Sequence, residues 1–377
     1  MDKKKDYANV EQKDTAEERE FDRLSKTMEK VSDGNSKFFY ICLMLLNILT
    51  LGICYLVLNK IFSIEKITII FESLDYKIWL LMFLSFLLVL FLKMLPMFLK
   101  IFNKTKSKNL TTAFSATVIG EYYSRVTLCS AGQIPMSTKY LNSKGHTSKN
   151  SVDVNYGIKF FDKLSFLIYS IIIYIVGSFV GLQKINVWLY ILGIIIVLVY
   201  VSQILIVFMF KRNKKKTLEF LSKLVKILYN LHLIKDYEKL YYKWIDRLII
   251  YTKELRQNKW LIFTEIITNI FRYFLKSIVI YFVVVTLNIA SASMLGELLL
   301  ATLILDLILQ MWPLKYGTFI YEILFVILFK NIFFDGYVFW GLLIYRIFDY
   351  FLYALLYLIW DICSIIKRKV SKKQKLQ

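Results

Sequence analysis

Six long apolar runs decide what this chain can be. Phe38–Leu58, Ile78–Phe102, Leu164–Leu182, Val187–Phe210, Thr264–Leu287 and Val338–Ile359 each hold about 20 residues, the length that a helix needs to cross a bilayer core of about 30 Å. A water-soluble core has no use for that much apolar surface in 377 residues. The composition agrees: 57% hydrophobic, 17% aromatic, mean hydropathy +0.53. The expected fold is all-α and polytopic, with about six full spans. The first run is long enough to span, so no cleaved leader is expected.

The charge is +21, but it is not spread evenly. Residues 211–259 carry fourteen Lys/Arg against five Asp/Glu, and the tail ends KRKVSKKQK. Basic blocks placed between apolar runs suit the anionic cytoplasmic leaflet. No zinc finger, P-loop or aromatic-basic strand pair is present, so no nucleic-acid partner is expected. Residues 1–36 carry eight Lys/Arg and ten Asp/Glu and read as a solvated tail with some helix around AEEREFDRLSKTMEKV. Residues 37–365 form the membrane domain and 366–377 a basic tail. Within 211–259, Leu218, Leu221, Leu224, Val225 and Leu228 recur at helical spacing, as in an amphipathic helix lying on the membrane face.

The positive-inside rule orients these parts. The basic segment 211–259 and the C-terminal tail belong in the cytoplasm, and counting spans backwards puts the N-terminus there too. Two polar interruptions remain. Asn109–Leu164 then begins and ends inside, whereas Leu303–Phe329 begins and ends outside. Span two, segment and span three are thus inverted relative to span five, segment and last span. That is the arrangement of an inverted repeat with broken helices meeting at mid-bilayer.

Each interruption allows two readings. The first contains Gly120, Glu121, Arg125, Gly132, Pro135 and Gly145. It is either a re-entrant hairpin, helical to about Leu128 and again from Met136 around a break at SAGQIP, or a cytoplasmic loop with a surface helix. The second breaks at MWPLKYG, in a chain with only three prolines. Its arms are either half-helices or two short spans joined by a turn. Broken backbone at membrane depth survives only inside protein or beside a wet cavity.

Ionisable groups at that depth cost about 2.5–3.5 kcal/mol each on insertion scales. Glu121, Arg125, Asp162, Arg272, Lys276, Asp306, Lys315, Glu322, Arg346 and Asp349 stand in apolar surroundings. Together they predict a polar cavity with both signs of charge. Arg125, Arg272 and Arg346 offer guanidinium forks for phosphate, and Glu121, Asp306 and Glu322 could balance an ammonium. The four cysteines are scattered and the two histidines isolated. Neither a metal site nor a cofactor is expected, and no catalytic triad.

Two signatures carry a family resemblance. EYYSRVTLCSAGQIPMSTKYLNSKG resembles the first membrane-region signature of the lysylphosphatidylglycerol synthase/flippase family. Tyr122, Tyr123, Thr127, Gly132, Pro135, Tyr140, Leu141 and Gly145 stand in step with it. Pro313, Glu322, Phe325, Phe329, Arg346 and Tyr350 match the second, a Pro-Gly break followed by Glu, a Phe-rich half-helix and an Arg in the last span. The two fit across roughly residues 38–360. Leu128, Gln133, Ile134, Lys315 and Tyr316 depart from the usual residues, which marks a divergent member.

The resemblance implies a bacterial plasma-membrane flippase. Its cargo would be aminoacylated phosphatidylglycerol, its effect lower sensitivity to cationic antimicrobial peptides. It also implies that Tyr122, Tyr123, Gly132, Pro135 and Pro313 lie at the substrate path, and Gln133 and Lys315, standing in the two breaks, are expected there with them. Full-length family enzymes add a cytosolic domain that transfers an aminoacyl group from tRNA to phosphatidylglycerol. Only about 17 residues follow the last span here. The expectation is therefore the flippase half without a catalytic domain, although family membership would attach the activity phosphatidylglycerol lysyltransferase. Two alternatives stand beside it: a membrane subunit for a separate synthase, and a transporter of another lipid-linked or anionic solute. The expected partners are membrane lipids, anionic or aminoacylated. Oligomeric state stays open.

Overall fold

In hydrocarbon a backbone must satisfy its own hydrogen bonds, and apolar runs of this length do so as helices. The computed structural model describes residues 15–32, 34–62, 75–105, 109–127, 130–180, 187–287, 294–311, 319–333 and 335–374, and it is all-helical over them. Among the described residues five helices are long and apolar enough to cross a membrane, one fewer than the six expected: of the first run only the shorter apolar stretch Leu45–Lys60 is found there. Leucines, isoleucines and aromatics point outward along them, Leu198 being 61% exposed and Trp188 79%. A lipid surround accommodates such a surface and water does not.

The helices run in this order. α1 is Ala16–Ser32, α2 Gly34–Phe62, α3 Tyr76–Thr105, α4 Leu110–Val126 and α5 Gln133–Ser143. α6 is Ser148–Val180, α7 Val187–Arg212, α8 Lys214–Asn230, α9 Tyr237–Glu254 and α10 Lys259–Thr286. α11 is Leu295–Met311, α12 Phe319–Phe329, α13 Val338–Arg346 and α14 Leu352–Gln374. α10 is central and packs on α3, α6, α11 and α13. α7 packs on α6 and α11 and turns its other side out.

The first interruption folds close to the hairpin reading. α4 starts at an Asn109 cap, whose side chain accepts from the Thr112 N–H at 3.1 Å, and stops at Val126. Thr127 turns extended, and its hydroxyl oxygen accepts from the Gly132 N–H at 2.8 Å. A Cβ on Gly132 would meet Thr127 Cγ2 at 2.7 Å, so the break needs glycine there. α5 then starts at Gln133, with Pro135 in its first turn where proline costs little. Fourteen residues of α4 are buried, from Thr112 to Val126. α4 lies inside protein, against α3, α5 and α14. Of the second interruption, α11 and α12 are described, and the break with Pro313 and Lys315 lies outside the described residues. α11 is apolar on almost every side and buried from Leu298 to Leu307, as a helix enclosed by protein must be.

Two features depart from expectation. The last span is not a regular helix, because Ile347–Phe351 forms a π-helical turn between α13 and α14. Such a wide turn frees a backbone carbonyl, and the Asp349 carbonyl accepts from Arg125 Nε at 2.8 Å.

The second departure is α1, which is docked rather than solvated. Ala16, Leu24, Met28 and Val31 are buried, and the first three pack on Val152, Tyr156 and Ile250. Arg19 and Arg23 each reach Asp246 at 2.8 Å, and Lys253 joins Glu17 at 2.5 Å and Asp153 at 2.6 Å. Burial alone would push the Glu20 carboxyl up, but Arg247, Tyr156 and Arg23 hold it below the usual carboxylate range. Glu17 is likewise lowered against its own burial, chiefly by Lys253. The acidic helix therefore neutralises part of the basic segment.

Candidate functional site

Many of the charges in the spans collect around one space. A cavity of about 320 Å³ lies between α3, α4, α6, α7, α10, α11 and the last span. Its walls carry six basic side chains (Lys93, Arg125, Lys159, Lys163, Arg272, Lys276) and four carboxylates (Glu121, Asp162, Asp306, Asp349). The formal excess is two positive charges.

Most of these groups form one alternating chain. Lys93 pairs with Glu121, and Glu121 with Arg125 at 2.6 Å. Arg125 stands 3.9 Å from Asp349, Asp349 3.4 Å from Lys276, and Lys276 2.9 Å from Asp306. The chain thus runs from α4, in the first interruption, to α11, in the second, by way of the π-helical turn. The Arg125 guanidinium also lies 3.6 Å over the Tyr353 ring. On the other wall Arg272 pairs with Asp162, which accepts from the Tyr273 hydroxyl at 2.6 Å. Lys159 donates to Gln133 at 3.0 Å, and Tyr200 to Gln310 at 2.6 Å. Lys163 lines the cavity with no ion pair among the described residues.

Of the residues expected from sequence, Glu121, Arg125, Gln133, Asp162, Arg272, Lys276, Asp306 and Asp349 line this cavity. Gly132 and Pro135 flank Gln133 and shape the break rather than the wall. Tyr122 and Tyr123 point elsewhere: Tyr122 stacks on Tyr357 with ring centroids 3.9 Å apart, and the Tyr123 and Tyr357 hydroxyls are 3.4 Å apart. Glu322 and Arg346 form a sealed pair at 2.5 Å, each 1% exposed, with the guanidinium 3.7 Å over the Tyr321 ring. They are not among the residues that line the cavity, and the structure pairs them with each other. Pro313 and Lys315 lie outside the described residues.

Sequence reading missed Lys93, Lys159 and Lys163 as cavity groups. A signal existed for each. Lys93 is the lone charge between Lys77 and Lys100 in an apolar helix, and Lys159, Asp162 and Lys163 share one face of α6 at three- and four-residue spacing. A second charged cluster stays outside the cavity. Lys100 bonds Glu254 at 2.5 Å and lies 3.2 Å from Glu265, all three wholly buried. Gly157 makes room for it, since a Cβ there would lie 2.8 Å from Lys100 Nζ and overlap the Glu254 carboxylate.

Fold and site together define a helical membrane protein with a charged internal cavity. Comparison with family models, with curated proteins and with solved structures found no match to the chain.

Proposed function

We propose that this chain is a lipid flippase or scramblase, and that the cavity takes the headgroup of an anionic or aminoacylated phospholipid of the phosphatidylglycerol type. The carrying observation is the alternating charge chain that joins the two interruptions around one cavity. A phosphate crossing bare hydrocarbon has to shed its hydration. Fixed cations along a path replace part of that shell, and carboxylates at intervals keep the cations from trapping the phosphate permanently. Arg125 and Arg272 would hold the phosphate, Glu121 and Asp306 an ammonium, with Lys163 as the cation left over for the incoming anion. The acyl chains stay in lipid.

This reading includes the topology of six full spans, with the two interruptions as inverted half-helix pairs. Both termini and the 211–259 segment would face the cytoplasm of a bacterial cell. The burial of α4 and α11 supports it, because interrupted helices are tolerated where protein surrounds them.

The test uses purified protein in liposomes with fluorescently labelled phosphatidylglycerol and aminoacyl-phosphatidylglycerol, and a quencher confined to the outside. Quenching well beyond the outer-leaflet half, lost with Arg272→Gln, is the expected outcome. Protection of the inner half with both lipids, alongside uptake of a small organic anion, would replace the lipid reading with solute transport.

A further inference from the structure

The α8 helix carries a second surface that the cavity does not use. Thr217, Leu221 and Val225 are buried and face the protein, so the face expected from sequence to lie on the membrane packs on the protein instead. Beside them runs an outward apolar stripe: Phe220 is 45% exposed, Ile227 58% and Leu231 62%. At about 100° per residue these three fall within roughly 40° of one another. Lys216 and Lys223 border the stripe on the side away from the protein, with Lys226 beyond them, and all three are exposed. Glu219 is the only carboxylate on this helix.

Position says what covers the stripe. α7, with Leu198, Leu205 and Met209 turned outward, ends at Arg212. α8 begins two residues later, after the Asn213 side chain accepts from the Lys216 N–H at 3.1 Å. The helix therefore starts where the span leaves hydrocarbon. An apolar stripe beside a row of ammonium groups matches the boundary between acyl chains and phosphates. A protein partner would need complementary acids, whereas the anionic leaflet supplies them along its whole surface.

We propose that α8 lies in the headgroup region of the leaflet next to the basic segment. Phe220, Ile227 and Leu231 enter the acyl boundary, and Lys216, Lys223 and Lys226 meet phosphates of anionic lipid. The proposal is independent of what the cavity carries. It makes the α8–α9 hairpin, and through Asp246, Arg247 and Lys253 the docked α1, sensitive to leaflet charge.

The test places a spin label at Ile227→Cys or at Asn230→Cys, with the four native cysteines changed to serine. The full chain is reconstituted in vesicles with and without 30% phosphatidylglycerol, as a chosen composition of about that fraction. The label at position 227 is expected to meet oxygen and escape a water-soluble nickel complex, while the one at 230 meets nickel. Changing Lys216, Lys223 and Lys226 to Gln is expected to shift the docked population about fivefold per lysine in anionic vesicles, and little in neutral ones. Equal nickel access at 227 and 230 in anionic vesicles would overturn the proposal. So would a label at 227 shielded from both reagents in lipid-free detergent, which would mean that protein covers the stripe.

Discussion

Arg272 and Arg346 are both buried arginines in apolar helices, each paired with a carboxylate, yet their surroundings differ. Arg346 is enclosed by Glu322 and the Tyr321 ring and does not line the cavity. Arg272 is as well paired, with Asp162, but its other side opens on the cavity shared with Lys93 and Lys276. A charge inside a membrane protein is therefore not a site in itself. What separates a brace from a binding group is whether a space lies beside it, and that depends on helices far apart in sequence.

The sharpest way to break this comparison is to remove the brace. Arg346→Ala leaves Glu322 buried without its partner and should cost about 3–5 kcal/mol, read as a large fall in thermal stability in detergent. Replacing both members at once, Glu322→Leu with Arg346→Met, should restore most of that loss. A stable Arg346→Ala protein that fails only in lipid movement would put Arg346 back among the binding groups.

Next come the cavity groups. Arg272→Gln and Asp306→Asn should each lower headgroup movement at least about tenfold and cost stability only about 2 kcal/mol, since a hydrated cavity can rehydrate the partner left behind. The fluorescence-quenching assay and a melting curve on the same preparation separate the two effects.

The docked α1 helix gives a smaller, pH-dependent effect. The Glu17 and Glu20 carboxyls sit below their ordinary value of 4.5. Their contribution to docking is thus complete above that value and fades as pH falls through the lowered one. Hydrogen exchange over residues 16–32, corrected for intrinsic rates, should stay slow from pH 8 to about 5 and quicken below about 4. Release on raising the pH instead would contradict the ion-pair assignment.

The smallest effect on stability is expected at Lys163. With no ion pair among the described residues, Lys163→Gln should leave melting within about 0.5 kcal/mol of the parent. It should still weaken capture of anionic lipid, measured as the lipid that copurifies.

Much of the architecture was legible. Apolar length announced the spans, and the SAGQIP break stood out because glycine and proline are rare in this chain. Glu121, Arg125, Arg272 and Asp306 could be singled out because charge in an apolar run is costly. Three things were hidden, each for a physical reason. Glu322 and Arg346 satisfy the same cost rule as the cavity groups, and only their mutual distance reveals a brace. The docking of α1 depends on Asp246, Arg247 and Lys253, more than two hundred residues away in the chain, so its balanced composition looked like a solvated tail. The π-helical turn that presents Asp349 leaves no mark on apolar periodicity, since one wide turn shifts the helical register without changing residue types.

The most direct test of the cavity's role compares the two regions chemically. Ser130 lines the cavity and Tyr321 lies in the sealed region. Each is changed to cysteine with the four native cysteines replaced by serine, and the protein in liposomes meets a water-soluble sulfonate thiol reagent. We predict that Ser130→Cys is modified and is protected by glycerophosphoglycerol, while Tyr321→Cys stays unmodified. An unreactive Ser130→Cys, or modification that glycerophosphoglycerol leaves unchanged, would contradict the cavity as a phosphate-binding path.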